Sequence, residues 1–214
     1  PFILATNNAR MTPDQYVQKL AKMGLTVEQH EILTSAMATA MYLSENTNPS
    51  ENQIFVIGES GAREPLIDRG FSLTETYNFK DYAPDTPNTD ADLVVCGLDH
   101  ELTWEKLATA TLHLRAGAKF IATNADTTLP TEYGLTIGNG GILAALQAAT
   151  GVTPTVIGKP EPIMYQQAIN LLGVDPSETV AIGDRLNTDI LGAVRAGIRS
   201  ILVLTGVSTE KDLD

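Results

Sequence analysis

One cysteine occurs in the 214 residues, Cys96, so no internal disulfide holds the chain. It lies inside the apolar run Leu93-Val94-Val95-Cys96-Gly97, which reads as a small buried residue and not as a nucleophile. Aromatic residues make up only 6% of the chain against 17 glycines, which suits an α/β protein better than a disulfide scaffold. Basic residues are scarce too: 14 Lys and Arg stand against 26 Asp and Glu, giving a net charge of -12. With no Lys/Arg run, the sequence argues against nucleic acid or an anionic membrane as a partner. The acidity itself requires no more than ordinary solubility. No apolar run approaches the length of a membrane span and none reads as a signal peptide, so a cytoplasmic location is the expectation. The three histidines, His30, His100 and His113, are scattered and read as surface or helix-face residues, and Trp104 reads as packing.

The chain is 43% hydrophobic and 19% charged, enough for one large domain or two modest ones. Thr12-Pro13-Asp14-Gln15 has the form of a capping box with proline at the first helical position. Thr34 is expected to cap a second helix with Met37, Ala40, Met41 and Leu43 inward. Asn46 to Asn52 is polar with turn chemistry and marks a domain boundary. From about 53 to 154, apolar strands (Ile54 to Ile57, Leu93 to Gly97, Phe120 to Ala122) alternate with helical stretches capped by Thr103 and closed by Gly117 and Gly151. Residues 74 to 90 and Pro130 to Gly134 read as loops. The expected organisation is therefore a first segment over 1–52, a smaller α/β unit over 53–154, and a return to the first domain over 155–214.

Three strand ends carry the chemistry. Val180-Ala181-Ile182 is an apolar strand stopped by Gly183, and Asp184 follows it directly. Thr188 is a plausible N-cap for a helix with Ile190, Leu191 and Val194 on one face and Gly197 at its end, and Asp189 sits in its first turn. Two carboxylates thus flank a strand-to-helix turn, where open α/β sheets place ligands, and hard oxygen donors there suit Mg²⁺. A turn acid and a first-turn acid favoured by the helix dipole read equally well from these residues alone. The other strand ends are Phe2 to Ala5, running into Thr6-Asn7-Asn8, and Thr155 to Ile157, running into Gly158-Lys159-Pro160. Thr6 offers a hydroxyl, Asn7 and Asn8 offer backbone amides, and Lys159 offers a point charge. In the bland alternative Thr6 ends a strand, the two asparagines make a turn, and Lys159 is an exposed lysine before a proline.

A hydroxyl, a lysine and an acid pair at three strand ends, in that order, resemble the second, third and fourth motifs of the haloacid dehalogenase superfamily of phosphotransferases. The wording Ala-Thr-Asn-Asn, Ile-Gly-Lys-Pro and Ile-Gly-Asp-x4-Thr-Asp is most similar to its branch with a type C2 cap, which contains nucleotide, sugar-phosphate and p-nitrophenyl phosphatases. The resemblance covers residues 1 to about 208. It implies a doubly wound parallel-sheet core with the 53–154 unit inserted as a cap. It also implies catalytic roles for Thr6, Lys159 and Asp184, phosphate binding by Thr6, Asn7, Asn8 and Lys159, and Mg²⁺ held by Asp184 with Asp189. Asn124 and Asp126 resemble the substrate-facing cap loop, with Glu59 a weaker candidate. The implied partners are a small phosphorylated substrate and, as a candidate contact through the cap, a second copy of the chain.

The family's first motif, a strand followed by Asp-x-Asp-Gly, does not occur. Its first Asp is the nucleophile that forms an aspartyl-phosphate and its second is the general acid and base. The nearest string, Asp90-Ala91-Asp92, precedes a strand and reads as loop. We expect the 214 residues to be a fragment lacking that first strand and some C-terminal sequence, with a noncatalytic phosphate-binding module as the alternative. A third class, another nucleotide-binding α/β domain, finds little support, because Gly138-Asn139-Gly140-Gly141 fits neither GxGxxG nor a P-loop.

Overall fold

The computed structural model describes residues 1–79 and 90–213; the loop read over 74–90 falls in part outside them. In chain order the first elements are β1 (Leu4–Thr6), α1 (Pro13–Lys22), β2 (Ile32–Thr34) and α2 (Ser35–Asn46). They are followed by β3 (Gln53–Ile57), α3 (Ser60–Asp68), β4 (Ser72–Leu73), β5 (Leu93–Cys96), α4 (Trp104–Arg115) and β6 (Lys119–Ala122). Next come β7 (Thr128–Thr131), β8 (Gly134–Ile137), α5 (Asn139–Thr150), β9 (Thr155–Val156) and α6 (Ile163–Leu172). The chain continues with β10 (Val180–Gly183), a wide π-type turn over Leu186–Ile190, α7 (Leu191–Arg195) and β11 (Arg199–Leu202). Among the described residues no helix is long and apolar enough to cross a membrane.

The apolar strands of the middle segment are buried on both faces, which is why they read as continuous hydrophobic runs. They form a parallel sheet in the order β4-β3-β5-β6-β9. Alternate residues point to opposite faces. Ile54, Val56, Leu93, Val95 and Ile121 join one cluster with Ala36, Ala40 and Leu43 of α2, Leu66 of α3 and Met164 of α6. Phe55, Ile57, Val94, Cys96, Phe120 and Ala122 join the other with Ala110 and Leu114 of α4 and Ile142, Leu143 and Leu146 of α5. The result is a doubly wound, three-layer α/β unit.

Two boundaries differ from the sequence expectation. Helix α2, capped by Thr34 through its bond from the Met37 amide, packs on the five-stranded sheet across the polar turn that reads as a domain boundary. Thr155–Val156, expected to begin the returning segment, pairs with β6 as the edge strand of that same sheet. The reason is apolar continuity: α2 and α6 both present small or apolar residues to the face left open beside α3.

The remaining strands form two separate parallel pairs, β1 with β2 and β10 with β11. Helix α6 joins them to the larger sheet: Met164 and Ala168 face the first cluster, while Tyr165 and Ile169 pack with Ala181, Ala193 and Ile198. Between the pairs lies a slot of about 470 Å³, walled by Phe2 to Ala5 on one side and Val180 to Ile182 on the other. Val180 and Ile182, expected as a buried strand, are 44% and 65% exposed because this side of β10 is unpaired among the described residues.

Candidate active site

The carboxyl ends of β1, β6, β9 and β10 converge on one cavity of about 360 Å³. All eight residues singled out from the sequence line it: Thr6, Asn7, Asn8, Asn124, Asp126, Lys159, Asp184 and Asp189. Within the five-stranded sheet, β6 and β9 run parallel and deliver their C-terminal turns to one edge, and the separate pairs carry the ends of β1 and β10 to the same cavity.

Lys159 is the centre of the polar arrangement. Its ammonium donates to Asp189 Oδ1 at 2.7 Å and to the carbonyl of Ala5 at 2.9 Å. An ammonium has three donors, so one remains for the cavity. The side chains of Lys159 and Asp189 are 11% and 9% exposed, which makes this a nearly buried ion pair. Asp189 Oδ2 accepts from the backbone amides of Asp184 at 3.2 Å and Arg185 at 3.1 Å. Asp189 therefore shapes the turn that carries Asp184 while fixing the lysine. Tyr165 donates its hydroxyl to the Asp189 carbonyl at 3.1 Å; burial, then the Asp189 charge, raise its pKa well above the ordinary phenol range.

Asp184 has one committed oxygen, Oδ2, which accepts from the Val207 amide at 2.7 Å. Its carbonyl accepts from the Ser208 amide. The second carboxylate oxygen has no hydrogen bond among the described residues. The chain after β11 is pressed against this carboxylate, and a Cβ on Gly206 would lie 2.0 Å from Asp184 Oδ2. Mg²⁺ is held by one or two protein carboxylates and completes its shell with water and phosphate oxygens. The donor set here fits such an ion with Asp184 as direct ligand. Asp189 has both oxygens engaged and fits a supporting role behind it. Among the described residues no group of three His, Cys, Asp or Glu side chains forms a dedicated metal cage.

Thr6 Oγ1 accepts from the Asn8 amide at 3.2 Å, while Asn8 Oδ1 accepts from the Arg10 amide. Tyr16 of α1 stands beside Thr6; burial raises its pKa against the opposing pull of a hydrogen bond with Thr6 and the charge of Arg10. Asn7 faces Lys159 and Asp126 rather than open solvent. Asn124 donates to the Asn7 carbonyl at 2.8 Å, and Asn139, at the start of α5, donates to the Asn124 carbonyl at 2.7 Å.

Glu59 does not line the cavity. It holds Arg10 through Nε at 2.7 Å and Nη2 at 3.2 Å and accepts from the His100 amide at 3.1 Å. Burial raises the Glu59 pKa, but the Arg10 and His100 hydrogen bonds and charges outweigh it and hold the carboxyl below its ordinary value. Sequence reading missed Leu98, Leu129, Asn139 and Arg185 as lining residues. Only Arg185 carried a signal, its place directly after Asp184. Thr188, expected as an N-cap, lies instead inside the wide turn. There the Arg185 carbonyl accepts from both the Asp189 and Ile190 amides, and the regular α-helix α7 begins only at Leu191.

Residues 1–72 match the haloacid dehalogenase-like hydrolase family and residues 156–214 match a HAD-hydrolase-like family. An acid sugar phosphatase of Staphylococcus aureus (strain USA300) is 40% identical over 213 residues, covering 100% of this chain and 77% of that protein. A solved variant of a thermostable p-nitrophenylphosphatase from Bacillus stearothermophilus superposes with a TM-score of 0.84 at 41% identity, covering 100% of this chain and 78% of the other. A glycerol phosphate phosphatase from Mycobacterium tuberculosis, solved in complex with magnesium, superposes with a TM-score of 0.87 at 36% identity, covering 99% and 60%. Sequence, fold and the gathered strand-end residues agree: the chain belongs to the haloacid dehalogenase-like hydrolases, among their NagD-like phosphatases.

Proposed function

We propose that this chain carries the phosphate- and metal-binding part of a Mg²⁺-dependent phosphomonoesterase for a small phosphorylated metabolite: a sugar phosphate, a nucleotide or, as a laboratory substrate, p-nitrophenyl phosphate. The observation that carries the reading is Lys159, whose ammonium is fixed by Asp189 and the Ala5 carbonyl with one donor left for the cavity. Thr6 donates its hydroxyl to a phosphoryl oxygen, and Lys159 neutralises charge on the phosphoryl group and on the attacking carboxylate. Asp184 would hold Mg²⁺, which supplies further neutralisation of the phosphate charge. The unit over 53–154 acts as the cap: Asn124 and Asp126 face the substrate, and Leu129 excludes water from one wall.

The route is an aspartyl-phosphate whose Asp lies outside these 214 residues. Asp126 and Asp189 are hydrogen-bonded in place and Asp184 is suited to the metal, so no cavity carboxylate is left to attack phosphorus. The slot between β1 and β10 supports delivery of that Asp on a strand pairing with both edges, at whose end Thr6, Lys159 and Asp184 converge. The same engaged carboxylates favour one alternative, a module that binds phosphate without turnover. An exposed Trp104 and Leu112, lining an apolar groove of about 420 Å³ between α4 and α5, support a homodimer through the cap. The deciding experiment measures release of p-nitrophenol by the intact protein with and without Mg²⁺, together with intact mass after rapid acid quench. Turnover that needs Mg²⁺, with a transient phosphoryl adduct outside residues 1–214, is the expected result. Saturable binding of inorganic phosphate without release would select the noncatalytic module.

A further inference from the structure

Asn7 is placed by its side chain to hold other residues. Its carboxamide meets both polar groups of the Lys159 main chain: Oδ1 accepts from the Lys159 amide at 2.8 Å and Nδ2 donates to the Lys159 carbonyl at 2.8 Å. An amide N–H requires an acceptor, so this pairing fixes which end of the carboxamide faces it. The second Nδ2 proton is directed at the carboxylate of Asp126, at 3.2 and 3.3 Å from its two oxygens. The backbone carbonyl of Asn7 accepts from Ser35 Oγ at 2.7 Å and from Asn124 Nδ2 at 2.8 Å. One residue thus binds β1, α2, the loop after β6 and the loop after β9. The backbone at Gly158 leaves room for it, since a Cβ there would lie 2.7 Å from Asn7 Oδ1 and 2.5 Å from the Thr123 carbonyl.

We propose that Asn7 is a positioning residue whose carboxamide clamps the main chain of Lys159 and ties it to the Asp126 loop, so that the ammonium reaches its catalytic place only when that loop is docked. The proposal rests on the phosphatase reading and gives Asn7 a different task from direct phosphate contact. With both Nδ2 protons engaged by Lys159 and Asp126, the carboxamide has no donor left for a phosphate oxygen, and misplacement of a catalytic charge by an ångström is enough to cost about 100-fold in rate.

The test compares Asn7→Ala and Asn7→Asp in the intact protein with p-nitrophenyl phosphate as probe, alongside thermal melts. Asn7→Ala is expected to lower kcat by about 10- to 100-fold with little change in KM, because substrate contacts remain while Lys159 drifts. Asn7→Asp keeps the acceptor for the Lys159 amide but sets a carboxyl against Asp126, with Lys159, Asp184 and Asp189 as the other charges around it. Two carboxylates at this distance share a proton, so the variant is expected to regain activity relative to wild type as pH falls below neutral. A merely structural role would not create that acid limb. A raised KM at unchanged kcat in Asn7→Ala, or an Asn7→Asp pH profile parallel to wild type, would overturn the proposal. Hydrogen exchange separates it from the phosphatase reading. Asn7→Ala should lose protection in peptides covering both 124–126 and 157–160, whether or not the wild type turns over. Unchanged exchange in either stretch sinks the clamp, and a joint loss in a protein that releases no phosphate sinks only the enzymatic reading.

Discussion

Lys159 and Asp189 meet at 2.7 Å with both side chains nearly out of solvent, and the same carboxylate also receives two backbone amides of the Asp184 turn. Removing one partner of such a pair leaves a buried charge and two orphaned amides. Asp189→Ala is therefore expected to cost about 3 kcal/mol of stability, the low end for breaking a buried ion pair. Asp189→Asn keeps an acceptor for the amides but turns a donor or a neutral oxygen toward the ammonium, so its loss should be smaller. Urea unfolding of both variants against wild type checks the order; equal stability of Asp189→Ala and wild type would show that the pair contributes nothing.

Asp184 can be tested apart from stability. Its Oδ2 bond to the Val207 amide is one that an asparagine carbonyl can replace, so Asp184→Asn should fold normally. Wild type should gain thermal stability with rising Mg²⁺, by the linkage between binding and folding, and Asp184→Asn should not. Activity should fall by at least about 100-fold in the variant, a loss of roughly 2.7 kcal/mol of transition-state stabilisation. A Mg²⁺-dependent melting shift that survives Asp184→Asn would place the ion elsewhere.

Gly206 offers an indirect route to the same carboxylate. A methyl group at this position would overlap Asp184 Oδ2 at 2.0 Å and force the carboxylate or the loop after β11 to move. Gly206→Ala is expected to weaken the Mg²⁺ response and turnover together while every ligand residue is still present. Wild-type Mg²⁺ titration curves for this variant would mean that the loop yields and the carboxylate does not.

Much of this site was legible because its parts are local. A short apolar run marks a strand end from a few residues: Thr6 follows Phe2 to Ala5 directly, while Lys159 and Asp184 follow runs closed by Gly158 and Gly183. The alternation that splits Ile54 and Val56 from Phe55 and Ile57 is likewise written in the strand itself. What escaped depends on partners far away in sequence. Asn7 and Lys159 are 152 positions apart and Arg10 and Glu59 are 49 apart, so neither pairing has a local signature. The stretch Pro130 to Gly134 reads as a loop, yet it includes the paired ends of β7 and β8; the proline and glycine interrupt the pattern, and Tyr133, Leu135 and Ile137 are exposed, so no buried face gives the hairpin a period.

His113 supplies a pH prediction remote from the cavity. It is buried in α4 between the rings of Phe55 and Tyr77, with centroids at 5.4 and 5.2 Å, and neither ring nitrogen has a partner among the described residues. Burial lowers its pKa, against a smaller opposing effect of the Asp90 charge. In the unfolded chain the imidazole titrates near its ordinary value of 6.5. Between that value and the lower folded one the unfolded state binds more protons, so stability rises with pH in this window. Its contribution is intact above pH 6.5 and is lost as pH falls from there through the folded value. His113→Phe keeps an aromatic ring against Phe55 and Tyr77 but cannot take up a proton. Its unfolding free energy, measured by urea across this range, should fall less steeply on acidification than that of wild type. Parallel slopes for the two proteins would mean that His113 stays uncharged, or charges freely, in both states, and the acid sensitivity would then have to come from carboxylates such as Glu59, whose window lies below 4.5.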